Sequence, residues 1–210
     1  MSPHRERVMR GSVVSEHLVH LFDESGSLVN TVATYLLEGW RRDDTLVVIA
    51  RPTNWALTAA ELTARDCPVE EIAAAGRLIV FDAATTLASF MVNGEPDRKK
   101  FDEQVGALVH RLCRESSAGV TAYGEMVDIL AAQGNFIAAE HLETLWNNLS
   151  TECSFRLLCG YSSAHFSDAR TARHLDRVCA QHTHTGPAET DLLASWLLAE
   201  RRSKFHIPAR

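Results

Sequence analysis

The chain has 210 residues, 46% of them hydrophobic and 23% charged, with 21 basic and 27 acidic side chains giving a formal net charge of −6. That balance excludes a disordered, collagenous or coiled-coil chain, and a chain of this size can bury a core without disulfide or metal staples. The mildly acidic total argues against nucleic acid as a direct partner, because phosphate binding needs a basic field.

Residues 1–14 hold Arg5, Arg7 and Arg10 and lack an apolar h-region, so they read as an N-terminal extension and not a signal peptide. No run approaches the roughly 18 apolar residues of a membrane span, so no membrane partner is expected. The five cysteines include no CxxC pair, which points to a reduced, cytoplasmic protein with mostly buried thiols.

Five short runs, residues 17–22, 45–50, 77–81, 119–123 and 155–161, are apolar and partly β-branched, as strands covered on both faces are. Helix-length segments lie between them. Leu28, Val32, Tyr35, Leu36 and Gly39 form one helical face; Phe101, Val105, Leu108, Val109 and Leu112 form a second; Leu142, Leu145, Trp146 and Leu149 form a third. Ser27 reads as the cap of a helix beginning at Leu28, Asn135 as the cap of a helix running to about Leu149, and residues 94–97 as a turn. Strand–helix alternation predicts an α/β fold with a mostly parallel sheet of about five strands and helices on both faces. A boundary falls at residues 183–187, so the chain divides into an extension (1–14), one domain (15–184) and a tail (185–210) with a helix over residues 190–203.

In an open parallel sheet, ligands bind beyond the carboxyl ends of the strands. That rule selects the loops 23–27, 51–55, 82–86, 124–128 and 161–166. Ser25, Gly26 and Ser27 sit where a phosphate-binding loop would lie, but GxxxxGK[ST] is absent; they read as a helix start or an anion-binding remnant. Asp82 ends a hydrophobic strand, either as a magnesium-binding carboxylate of the Walker B kind or as a helix cap. Glu125 directly follows a buried strand, a costly place for a charge without a partner. It reads either as one half of a salt bridge, with Arg51 or Arg156, or as a ligand contact. Trp55 lies just past a strand end and could line a pocket. His17 and His20 fall on opposite strand faces and cannot share an ion, and His182 with His184 lacks a third ligand nearby in sequence, so no metal is expected. No nucleophile elbow or Ser/His/Asp spacing is present.

Three motifs in order, residues 123–127 (Tyr-Gly-Glu-Met-Val), 142–147 (Leu-Glu-Thr-Leu-Trp-Asn) and 157–161 (Leu-Leu-Cys-Gly-Tyr), resemble those of the MEDS domain, a sensory domain of methanogens and methylotrophs named after DcmR-type regulators. The opening strand with His17, the blocks at residues 36–50 and 76–91, and a closing segment at residues 178–189 are similar too. The resemblance implies a RecA/KaiC-like core without an ATP-hydrolysing loop, and sensing of small molecules such as hydrocarbon derivatives. The resulting expectation is a non-catalytic sensor without a cofactor. It binds a largely apolar ligand through His17, Trp55, Glu125, Met126 and Tyr161 and signals to a partner kinase or transcriptional regulator, as a monomer or a homodimer. Two other classes stay open: a divergent nucleotide hydrolase using Asp82 and Glu125 with magnesium, and a ligand-free interaction module acting through the C-terminal helix.

Overall fold

The computed structural model describes residues 15–23 and 25–183; the expected helix at 190–203 and His184 lie outside them. Five strands form one parallel sheet: β1 (Glu16–Phe22), β2 (Thr45–Ala50), β3 (Leu78–Asp82), β6 (Val120–Gly124) and β7 (Arg156–Ser162), in the order β1-β7-β6-β2-β3. Each expected strand is present within a residue or two of its expected bounds. The central strands β2 and β6 are buried along their whole length, which is why their sequences are apolar on both faces. The third run differs: β3 is an edge strand, and its Val80 and Phe81 are exposed.

Helices cover both faces. α1 (Ser25–Arg41), α2 (Pro52–Ala64) and α3 (Val69–Ala74) pack on one side, where Leu28, Val32, Leu36, Leu62 and Ile72 meet Leu46, Val48, Tyr123 and Leu158. α4 (Ala83–Phe90), α5 (Arg98–Phe101), α6 (Ala107–Glu115), α7 (Met126–Ala132), α8 (Phe136–Glu152) and α9 (Ala169–Ala180) pack on the other, around Phe90, Phe101, Val109, Trp146 and Phe155. The expected helical face from Phe101 to Leu112 is real, but a π-helical turn at Asp102–Gly106 joins α5 to α6. α1 begins at Ser25, so Ser27 lies in its first turn and is not the cap. Asn135 does cap α8, its side chain accepting from the Ala138 N–H. The turn at residues 94–97 belongs to a small hairpin of β4 (Met91–Val92) and β5 (Glu95–Pro96), closed by Asn93 and Gly94 at positive φ. No helix among the described residues is long and apolar enough to cross a membrane. The five cysteines are free thiols, and three of them are buried.

Candidate functional site

The strand order places a topological switch point between β2 and β6. After β2 the chain steps outward to β3; after β6 it steps the other way, to β7. The crevice between two such strand ends is where open α/β sheets bind ligands. Arg51 follows β2 and Glu125 follows β6, whose extended pairing continues through a Glu125 N–H to Ile49 carbonyl bond of 2.9 Å. Glu125 is fully buried. Its Oε2 accepts from Arg51 Nη1 (3.0 Å), the Arg51 N–H (3.3 Å) and Asn54 Nδ2 (2.8 Å), and its Oε1 accepts from the Tyr123 hydroxyl (3.1 Å). Asp128, in the first turn of α7, accepts from Arg51 Nη2 (2.7 Å) and the Ser162 N–H (2.8 Å), and its Oδ1 lies 3.0 Å from His165 Nε2. Burial alone would lower the Arg51 pKa, but Asp128 and Glu125 raise it above its ordinary value. Burial and the Glu125 charge push the Tyr123 phenol well up, so it stays a donor.

Of the two pairings open for Glu125, Arg51 is the one formed. Arg156 lies at the other end of the sheet and binds Asp44 (3.1 Å) and Glu16 (3.8 Å). The expected site residues divide. Trp55 sits one turn along α2 from Arg51, bonded to it through the backbone (2.9 Å), and is half-buried against the α1 side. Met126 is buried in the core on the α8 side. His17 is near the amino end of β1, away from the carboxyl edge, and Tyr161 turns its hydroxyl away from the crevice toward α8. Asp82 is the helix cap: its carboxylate accepts from the Thr85 N–H (2.7 Å), and hydrogen bonding from the Thr85 side chain and N–H lowers its pKa. Gly26 and Ser27 lie exposed in the first turn of α1.

A second constellation was not foreseen. His17 from β1, Glu143 from α8, Cys159 from β7 and His182 beyond α9 meet in the interior, all buried, with one ligand atom from each within 4.8 Å of the others. β1 pairs with β7 in a register that sets His17 opposite Leu157 and Val19 opposite Cys159, so His17 and Cys159 face the same side two positions apart. His17 Nε2 is 3.1 Å from Glu143 Oε2 and 3.4 Å from Cys159 Sγ, and Cys159 Sγ is 3.5 Å from the same carboxylate oxygen. His182 Nε2 stands 3.4 Å from Glu143 Oε1, which also accepts from the Tyr161 hydroxyl (2.8 Å). Burial opposes a charge on Glu143, yet His182 and His17 hold its pKa far below the carboxylate norm. Burial would lower the His17 pKa, but Glu143 and Asn147 raise it. The Cys159 thiol is pushed well up by burial and by the Glu143 charge. This set of imidazole, thiol and carboxylate groups is of the kind that can hold a transition metal.

Spacing in sequence carries no sign of this cluster, because its members are separated by 126, 16 and 23 positions. The available signal was chemical: Glu143 stands among the apolar positions of α8, a charge where only a partnered one is stable.

A five-stranded parallel sheet covered by helices on both faces, with a charged network at its switch point and a buried carboxylate cluster under one face, defines the α/β class of protein. The profile of the MEDS family, the methanogen/methylotroph DcmR sensory domain, matches residues 16–183. The chain belongs to this family of sensory domains. No curated protein matches it.

Proposed function

We propose that this domain is a non-catalytic cytoplasmic sensor. Its ligand is a small, largely apolar molecule with one polar acceptor atom, such as a hydrocarbon derivative, bound at the switch-point crevice. The observation that carries this reading is Arg51. Its side chain is 33% exposed at the crevice, and two carboxylates hold it from within through one N–H of each Nη. A guanidinium has five N–H donors, so the outer ones are left for a ligand oxygen or halogen. Glu125 already accepts four hydrogen bonds, and in this reading it positions Arg51 and does not touch the ligand. Trp55, one turn away, supplies an apolar wall. Occupancy passes to a partner kinase or regulator through the surface around α2.

The test is a thermal-shift series with short-chain alcohols, aldehydes, halogenated alkanes, benzoate and nucleotides. Some of the small organic compounds should raise the melting temperature of the wild type, and Trp55→Ala should lose that shift while its ligand-free stability stays within about 1 kcal/mol. Shifts from nucleotides alone would return the domain to a nucleotide-binding class. Equal shifts in both proteins would remove Trp55 from the site.

A further inference from the structure

The buried cluster under the β1 edge goes beyond the switch-point reading and stands independently of it. We propose that His17, Glu143, Cys159 and His182 form a closed four-ligand site for a divalent transition metal of the zinc class.

The tautomers carry the inference. His182 Nδ1 lies 2.6 Å from the Val178 carbonyl, an acceptor only, so Nδ1 holds the proton and the Nε2 lone pair points into the cluster. That Nε2 is fully buried and has no hydrogen-bond partner. His17 is fixed in the same way. Asn147 Nδ2 donates to the Gln181 carbonyl (3.0 Å), which turns its Oδ1 toward His17 Nδ1 at 2.8 Å; Nδ1 is the donor and Nε2 faces inward. Each imidazole thus has its outer nitrogen anchored by an oxygen and its inner nitrogen free to ligate, the arrangement by which proteins orient metal-binding histidines. The Tyr161 hydroxyl on Glu143 Oε1 orients the carboxylate.

Protons alone leave this cluster unbalanced. A proton on His17 Nε2 answers Glu143 Oε2 at 3.1 Å. A second on His182 Nε2 meets Glu143 Oε1 at 3.4 Å, outside hydrogen-bond geometry. A metal ion needs no such alignment. Bonds of about 2.0 Å to nitrogen and oxygen and 2.3 Å to sulfur give a tetrahedron with edges of roughly 3.3–3.5 Å. The three separations among His17 Nε2, Cys159 Sγ and Glu143 Oε2, 3.1, 3.4 and 3.5 Å, are close to those edges, and His182 Nε2, 3.4 Å from the other carboxylate oxygen, completes a set within 4.8 Å. The charge also closes. Two neutral imidazoles, one carboxylate and one thiolate carry −2, which a dication cancels, and the Cys159 thiol proton leaves to solvent as the metal enters. The thiolate and imidazoles select a zinc-class ion over magnesium or calcium. Such an ion joins the first strand to the segment after α9, whose Thr183 already bonds His17 through both backbone groups (2.7 and 2.8 Å).

The experiment is metal analysis of the full chain purified without chelator, followed by stripping and titration with Co2+ and Zn2+. One equivalent of zinc per chain is expected. Cobalt should give the ligand-field bands of a four-coordinate ion and a thiolate-to-cobalt charge-transfer band that Cys159→Ser abolishes. Asn147→Ala, outside the ligand set, should weaken Zn2+ by about 10- to 100-fold. The double variant Cys159→Ser/His182→Gln should weaken it further, and His110→Ala should change nothing. Should the ligand variants fail to fold, the wild-type cobalt spectrum and Asn147→Ala decide. A wild type that binds no cobalt, or a spectrum without the thiolate band, would overturn the proposal. So would Zn2+ affinity unchanged in Asn147→Ala or in a folded double variant. None of these readouts depends on a ligand at Arg51.

Discussion

Glu125 and Glu143 are both fully buried carboxylates in the same domain, and they are neutralised in opposite ways. Glu125 faces a guanidinium, an amide, a backbone N–H and the Tyr123 phenol, donors that keep their protons at any physiological pH. Glu143 also accepts from a phenol, but its other neighbours are two imidazoles and a thiol, groups whose protons can be exchanged for a metal. The first arrangement fixes the geometry of a crevice. The second is built from groups that can exchange their protons, and it lies where the first strand meets the segment after α9. A buried charge is therefore informative through the chemistry of its donors more than through its burial.

The contrast can be broken most forcefully at Arg51. Arg51→Met leaves two buried carboxylates without their cation and should cost about 3 kcal/mol, the low end for a broken buried pair because a third of the side chain faces solvent. Urea denaturation reads the loss, which should be nearly the same at pH 6 and pH 8.

Glu143→Gln should cost about 2 kcal/mol in chelated protein, the worth of hydrogen bonds to a buried charge, and here the loss should depend on pH. His17 has its folded pKa raised above 6.5, so its contribution is complete below that pH and is lost as pH rises through the raised value. Glu143 has its folded pKa depressed below 4.5, so its contribution is complete above that pH and is lost only in strong acid. Wild type and variant should therefore differ most between about pH 4.5 and 6.5, and the gap should narrow as pH rises through the raised His17 value. A gap of constant size would show that the two buried carboxylates behave alike.

Asn135→Ala removes the cap of α8, the helix that carries Glu143, and its bond to the Gly94 carbonyl (2.7 Å). A loss of about 1 kcal/mol is expected, together with faster amide exchange in the first turn of α8. The smallest effect belongs to His20, on the opposite face of β1 from His17. Burial lowers its pKa, and its Nε2 has no partner. Stability from His20 is complete above pH 6.5 and falls as pH drops through its depressed value, opposite in sign to His17. His20→Phe should flatten the part of the pH-stability curve just below 6.5, measured by thermal unfolding.

Much of this architecture was legible in the residues. The β-branched run at 45–50 suited a strand buried on both faces, and the 3.6-residue spacing of Leu142, Leu145, Trp146 and Leu149 suited one side of a helix; both are what formed. Asp82 and Asn135 kept their capping roles because a cap is settled within three residues. Glu125 was recognisable as a charge needing a partner, but the choice between Arg51 and Arg156 depends on which end of the sheet each occupies. His17 was placed with the crevice residues because strand order is not visible in sequence, and β1 turned out to present it near the amino end, against β7 and α8.

Periodicity, caps and a charge placed directly after an apolar strand are local properties, so the α/β class, the five strands, the family and the need to neutralise Glu125 could be read along the chain. Only the tertiary structure decided that the β2 and β6 ends form the switch point and that four residues from β1, α8, β7 and the segment beyond α9 converge on one point. Convergence of that kind follows from strand order and helix packing, which bring together side chains more than a hundred positions apart and leave no periodic trace along the chain.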